Sequence, residues 1–362
     1  MGRSGDAHPR SLRCASPGAD HRGVDHPLPE PSGAPAPAPA PLPDPTAAAR
    51  ALVDGVERVV RGRRAAVELL VTAVLARGHV LVEDVPGSGK TTLATAFAAS
   101  LGAECSRVQA TADLLPADVT GSGVWDPASG GFRFVPGPLF APVVLVDELN
   151  RTSPRTQSAF LEAMEERRVT VDGVRHRLPE PFVVVATQNP VEQHGTYPLP
   201  EGQLDRFAVR LVLGPLTADV ERRVLREQLA GNRPETLTPV LDLAGLLALQ
   251  RATAGVHVAD ATLDLAVGLT RATRTDPRVR LGAGTRAGLT LVRCAQARAL
   301  LAGRDHVLPE DVQALVVPVL AHRLLLAEEH EPLEVGGAGS RTLAQERLAA
   351  GLVPGTAVPL HR

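Results

Sequence analysis

The stretch His79-Val80-Leu81-Val82-Glu83-Asp84-Val85-Pro86-Gly87-Ser88-Gly89-Lys90-Thr91-Thr92 decides the fold. Its first five residues make a short apolar run of the length of a buried strand, and a glycine-rich loop follows. From Lys90 to Leu101 the residues suit a helix, which Gly102 closes. Strand, glycine loop and helix in that order present backbone N–H groups to a phosphate at a helix N-terminus. Lys90 is the only lysine among 38 basic residues. An ammonium is a compact point charge that reaches between phosphate oxygens, where a planar guanidinium is too wide, so the one lysine falls where the chemistry needs it. Val85, Pro86, Gly87, Ser88, Gly89, Lys90, Thr91 and Thr92 are therefore the candidate nucleotide-binding residues, with the Thr91 hydroxyl as a Mg²⁺ ligand. Asp84 stands where the full loop pattern has glycine. Aspartate tolerates left-handed backbone, but its carboxylate beside a phosphate is expected to weaken affinity.

Outward from this stretch, Val143-Val144-Leu145-Val146 is a second buried strand that ends in Asp147-Glu148, and Phe182 to Thr187 is a third. Ala208 to Leu213 reads as a short fourth. Apolar strands alternating with helices predict a parallel sheet covered on both faces. Asp147 would hold the metal through a water, and Glu148 would act as general base on an attacking water; the plain alternative is a solvated acidic pair at a strand end. Val169 to Arg177 alternates around Asp172-Gly173, a hairpin signature. Helical spacing covers Leu52 to Val60 and a second segment from Arg63 to Arg77.

Beyond Gly214-Pro215 no strand signal remains, and helices are expected to begin near Thr217, Leu241, Asp260, Thr285 and Pro309. The expected organisation is a Pro/Ala-rich tail over residues 1–45, an α/β core over 46–215, a helical domain over 216–327 and a weakly structured tail over 328–362, Gly-rich at Gly336 to Gly339 and then weakly helical. The first 45 residues hold 11 prolines, too many for a packed element.

Composition narrows the function. Aromatics are 2% of the chain and the net charge is −2, which argues against base-stacking platforms and non-specific backbone binding to nucleic acid. Three separated cysteines fit a reducing compartment and no structural zinc. Without a membrane-length apolar run or a signal-peptide pattern, the expectation is a cytoplasmic protein. His176, His194, His257, His306 and His322 show no ligand spacing. Trp125 and Tyr197 are expected to pack beneath their loops, since large aromatics are mostly buried.

Taken in order, these pieces resemble the AAA+ ATPases, and within them the MoxR family, from about Val59 to Leu326. The resemblance is dense in Leu114 to Gly121, Arg133 to Pro138, Asp147 to Arg151, Leu161 to Arg167, Ala186 to Pro190, Gly195 to Pro200 and Gln203 to Phe207. It implies a P-loop α/β core with a helical lid, ATP and Mg²⁺ as ligands, and a ring oligomer, a hexamer, that remodels partner proteins. It also implies Asn189 as the first sensor, Arg206 as an arginine finger inserted into a neighbour's ATP, and Arg286 as a second sensor reaching from the lid to the γ-phosphate. Val60 and Gly62 align with the segment that packs on adenine, where Arg63 departs from the glutamine that family members often carry. A separate partner with a von Willebrand factor A domain is implied as well. The plain alternatives are a surface salt bridge to Asp205 for Arg206 and an exposed helix start for Arg286. Two other functions are carried alongside: the motor subunit of a magnesium-chelatase-like complex, and an ATP-controlled binding switch of low turnover.

Overall fold

The computed structural model describes residues 42–85, 87–189, 196–230, 237–327 and 337–353. Residues 1–41 of the Pro/Ala-rich segment, Pro86 of the glycine loop and the motif residues 190–195 lie outside the described residues.

Two helices precede the sheet, α1 (Pro45–Val59) and α2 (Arg64–Leu75). Asp44 caps α1 by accepting from the Ala47 N–H at 2.9 Å, and Pro45 fills the first turn, where its missing N–H costs nothing. Leu52, Val53 and Val56 then form the buried stripe of that helix. The core continues as β1 (His79–Glu83), α3 (Lys90–Ser100), β2 (Cys105–Gln109), α4 (Pro116–Thr120), the hairpin β3 (Gly121–Asp126) and β4 (Gly131–Pro136), and β5 (Val143–Asp147). After it come α5 (Pro154–Glu166), the hairpin β6 (Arg168–Val171) and β7 (Val174–Arg177), β8 (Val183–Gln188), α6 (Glu201–Leu204) and β9 (Phe207–Leu211).

Five of these strands form one sheet in the order β2-β5-β8-β1-β9, and every pair in it is parallel. Strand alternation divides the core into two apolar layers. Val80, Val82, Leu145 and Val185 join the layer built with α1, α2 and α3, whereas Leu81, Val144, Val146 and Val184 join the layer built with α5. Parallel strands covered on both faces are the expected arrangement for such apolar runs. At the sheet's lower end His79 is fully enclosed: Nε2 donates to the Met164 carbonyl at 3.1 Å and Nδ1 accepts from the Val184 N–H at 3.0 Å. That fixes the neutral ring, and burial pushes its pKa down to about 3.

The helical region holds α7 (Ala218–Leu229), α8 (Leu243–Ala254), α9 (Asp260–Thr275), β10 (Val279–Leu281), α10 (Thr285–Ala302), α11 (Pro309–Ala314), α12 (Val316–Leu320) and β11 (Leu325–Leu326). It is not purely helical, because β10 and β11 pair antiparallel. Strands of three and two residues are too short to carry a period, so the sequence shows no signal for them.

Two further differences from the sequence expectation stand out. Residues 121–136 pair as a hairpin, with the chain's single Trp125 and Phe132 in edge-to-face contact on it. Trp125 is 53% exposed and Tyr197 46% exposed, so neither packs beneath its loop. The segment expected to be a weakly structured tail contributes a fifteen-residue helix, α13 (Gly337–Gly351). Leu348 and Ala349 are buried, and Gln345 donates to the Leu324 carbonyl at 2.6 Å. Its contact face carries Ala344, Gln345, Leu348 and Ala349, with one large apolar side chain among them, which gives little hydrophobic contrast to read from sequence.

Candidate active site

Parallel strands in an open α/β sheet deliver their loops to the C-terminal edge, and ligands bind there. The loop after β1, Asp147 at the end of β5 and Asn189 just after β8 all lie on that edge, and these three strands are neighbours in the sheet. The Asp84 N–H donates to the Gln188 carbonyl at 3.4 Å, joining the loop's first residue to the strand that carries Asn189.

Gly89 has φ +98° and caps α3 with no side-chain hydrogen bond, leaving the first N–H groups of the helix to another acceptor. Nothing lies within 4 Å of the missing Cβ at Gly87 or Gly89, so the loop has open space for a bound group on both residues. The Lys90 ammonium donates to the Asp84 carbonyl at 2.5 Å and to that of Val85 at 3.3 Å, spanning the loop. Thr91 and Thr92 open α3 beside it, half-buried.

Asp147 is buried, and Oδ2 accepts from Arg107 Nε at 2.7 Å. Glu148 adopts φ 59° and ψ 50°, a left-handed backbone unusual for a residue with a side chain. Its N–H donates to the Thr187 hydroxyl at 2.9 Å, so β8 pins the turn that swings Glu148 out of β5. Its carboxylate lies 3.1 Å from Arg151. Asn189 is buried. This set suits a Mg²⁺-bound triphosphate: a glycine loop with open space at Gly87 and Gly89, one ammonium, a hydroxyl and a buried carboxylate.

At the α1–α2 connection a Cβ on Gly62 would meet Val220 of α7 at 3.1 Å, so Gly62 and α7 border one another, two residues after the buried Val60. Arg61 reinforces that border with Glu227 at 2.6 Å.

Arg206 and Arg286 are elsewhere. Arg206 immediately precedes Phe207, which pairs with His79, the first residue of β1; the phosphate loop follows the last. Arg206 Nε meets Glu165 Oε2 at 2.9 Å, and Arg286 Nη2 meets the other oxygen of the same carboxylate at 2.5 Å. Arg286, with Arg206, holds the Glu165 carboxyl below the usual carboxylate range. Arg286 therefore does not reach toward the phosphate loop of its own chain; the lid presents it beside the finger candidate, at the other end of the sheet. Nor is the partner of Arg206 its neighbour Asp205, which pairs with the buried Arg323 at 2.8 Å.

Sequence reasoning missed Glu165, Arg107 and Gly214. Glu165 lies within the motif stretch Leu161 to Arg167, but nothing local singles it out, and the contacts of all three run across the fold. Among the described residues no helix is long and apolar enough to cross a membrane.

Fold and site together define a P-loop protein with a lid. The family model "ATPase family associated with various cellular activities (AAA)" matches residues 79–209, and the model "AAA lid domain" matches 271–344. An uncharacterized protein of Bacillus subtilis, YeaC, is 45% identical over 83% of this chain and 93% of its own length. Chaperone MoxR1 of Mycobacterium tuberculosis is 37% identical over 84% of each chain. A crystal structure of a presumed ATPase from Cytophaga hutchinsonii superposes with a TM-score of 0.75 at 33% identity, covering 84% of this chain and 94% of that one. The chain belongs to the MoxR family of AAA+ ATPases.

Proposed function

We propose that the protein hydrolyses ATP with Mg²⁺ at sites shared between neighbouring subunits of a ring, and uses the cycle to remodel partner proteins. The observation that carries this is the division of the site. Lys90, Asp147, Glu148 and Asn189 gather at one end of the sheet, while Arg206 and Arg286 share Glu165 at the other. Neither Arg206 nor Arg286 therefore stands beside the loop of its own chain, and a neighbour's lower face would supply both to offset charge developing on a transferred phosphoryl group.

In this reading the N–H groups of residues 87–90 and the Lys90 ammonium hold the β- and γ-phosphates. Thr91 and Asp147, the latter through a water, would hold Mg²⁺, which would supply positive charge to offset that on the phosphoryl oxygens. Asn189 aligns a water, and Glu148 takes its proton as the oxygen attacks the γ-phosphorus and the bond to ADP breaks. Val60 and Gly62 border the base. The exposed Trp125–Phe132 pair supports client contact by the hairpin β3–β4, because an exposed aromatic pair is unusual in a chain with so few aromatics. A separate von Willebrand factor A domain protein is the proposed partner, and the cytoplasm the proposed location.

ATPase specific activity measured against protein concentration, with Mg²⁺ in excess, tests the proposal. Activity that rises with concentration, and that Lys90→Ala abolishes, is expected. Absence of hydrolysis at every concentration, alone and with the partner, would leave only a nucleotide-controlled switch.

A further inference from the structure

The lid joins the core through the residues between Leu211 and Ala218, and Gly214 in that connection has φ +70°. Nothing lies within 4 Å of its missing Cβ, so the demand for glycine there is conformational. A residue of this kind between two domains is where a hinge rotates. In this protein both sides of it are held. The Gly214 N–H donates to Asp84 Oδ2 at 2.9 Å, and the Gly214 carbonyl accepts from Arg63 Nη1.

Those two side chains also grip the phosphate loop. Asp84 is the loop's first residue: its Oδ1 accepts from the Val85 N–H at 2.7 Å, and its carbonyl accepts from Lys90. Arg63 extends Nη2 to the Ser88 carbonyl at 3.4 Å. Each is only 8% exposed. A carboxylate buried beside a triphosphate site is electrostatically adverse, and burying a guanidinium costs as well. The opposite charges partly offset one another: burial pulls the Arg63 pKa down and Asp84 pulls it back. Both residues are departures from expected patterns, one at the glycine position of the loop and one after Gly62, and they converge on one hinge residue.

We propose that Arg63 and Asp84 are positioning residues for the nucleotide site: by clamping the two sides of Gly214 they fix the lid against the phosphate loop in the arrangement that binds nucleotide. The proposal rests on reading that loop as a nucleotide site. Loosening the clamp lowers the fraction of chains in the binding arrangement, and apparent affinity falls by that fraction.

The test uses the full-length chain with Asp84→Asn, Arg63→Gln and the double substitution. Two quantities are read: affinity for a fluorescent ADP analogue with Mg²⁺, and backbone hydrogen exchange of residues 212–218 without nucleotide. With its single carbonyl oxygen, the side-chain amide introduced by Asp84→Asn could accept only one of the two N–H groups that the Asp84 carboxylate accepts. Each single substitution is expected to weaken ADP about tenfold, the scale of one lost buried charge-assisted hydrogen bond, and the double substitution about tenfold as well. Hinge exchange should accelerate in all three, with melting temperatures within a few degrees of the parent. A purely electrostatic role predicts opposite signs instead: Asp84→Asn tightens binding, Arg63→Gln weakens it, and the hinge is unchanged. That result, or a double variant about a hundredfold weaker, overturns the clamp. Should Asp84→Asn not fold, Asp84→Gly, the residue of the standard loop pattern, takes its place. A parent chain that binds no nucleotide would defeat the ATPase reading, while hinge exchange measured without nucleotide would still decide the clamp.

Discussion

Mixing two inactive variants gives the sharpest prediction about how the site is divided. From His79 to Glu83 the chain rises four residue steps, about 13 Å at ~3.3 Å per residue, and Arg206 sits beside the first of these residues while the phosphate loop follows the last. Its guanidinium is also turned to Glu165, so in the proposed ring Arg206 would serve a phosphate on another chain. Arg206→Ala is then expected to lower kcat by about 10³-fold, the lower range for an arginine finger, and to leave ADP affinity of the dilute chain unchanged. Lys90→Ala removes the loop's cation and is inactive for a different reason. In an equimolar mixture each interface takes its loop from one chain and its finger from the next. Only an Arg206→Ala loop facing a Lys90→Ala finger is complete, so about one quarter of interfaces recover in a head-to-tail ring. Specific activity of the mixture should rise to roughly a quarter of the parent's, with mixed oligomers verified by native mass spectrometry. Activity that stays at the level of the two variants alone, in rings shown to be mixed, would refute the shared site.

Three other outcomes are expected. Glu148→Gln should retain ATP binding in an equilibrium assay and lose about 10²–10⁴-fold in kcat, as removal of a general base does; near-parental turnover would exclude Glu148 from that role. Gly78→Ala would place a Cβ 2.2 Å from that of Ala208, on backbone fixed between α2 and β9. Overpacking of this kind costs about 1–3 kcal/mol, so thermal denaturation should show a Tm lower by roughly 2–12 °C. The third concerns pH. His79 is held neutral with its pKa pushed down to about 3, and burial lowers that of His322 as well. In the unfolded chain both rings take up a proton near pH 6.5, so folding keeps them neutral at a cost that appears only in acid. Their contribution to stability is complete above about pH 6.5 and is lost as pH falls from there toward 3, by up to ~1.4 kcal/mol per pH unit for each ring. Urea unfolding between pH 6.5 and 5, above most carboxylate titration, should show that decline; constant stability across this range would mean that the rings are not enclosed.

What the sequence determined by itself is local. The loop between β1 and α3 is legible because strand, glycines, lysine and helix start are contiguous. The placement of Asp147-Glu148 and Asn189 at one edge follows from the same local pattern: each stands at or just after the end of an apolar strand, and parallel strands in one sheet bring such ends together. The sensor role of Asn189 rests on the family resemblance. The helix starts at Asp260, Thr285 and Pro309 coincide with α9, α10 and α11, since cap chemistry and period are properties of a few consecutive residues. Tertiary structure decided the rest. Glu165 meets Arg286 across 121 residues of chain, Asp84 meets Gly214 across 130, and Arg63 meets it across 151. Such contacts depend on where the lid lands on the core, and no window of sequence encodes that. The same is true of α13, whose alanine-rich face gains its burial only from the groove it enters, and of β10 and β11, which pair only because α10 to α12 bring them together. A fixed spacing can specify a glycine loop between a strand and a helix; which carboxylate Arg206 and Arg286 meet, and which side chains bond Gly214, follow from packing between segments that never meet in the sequence.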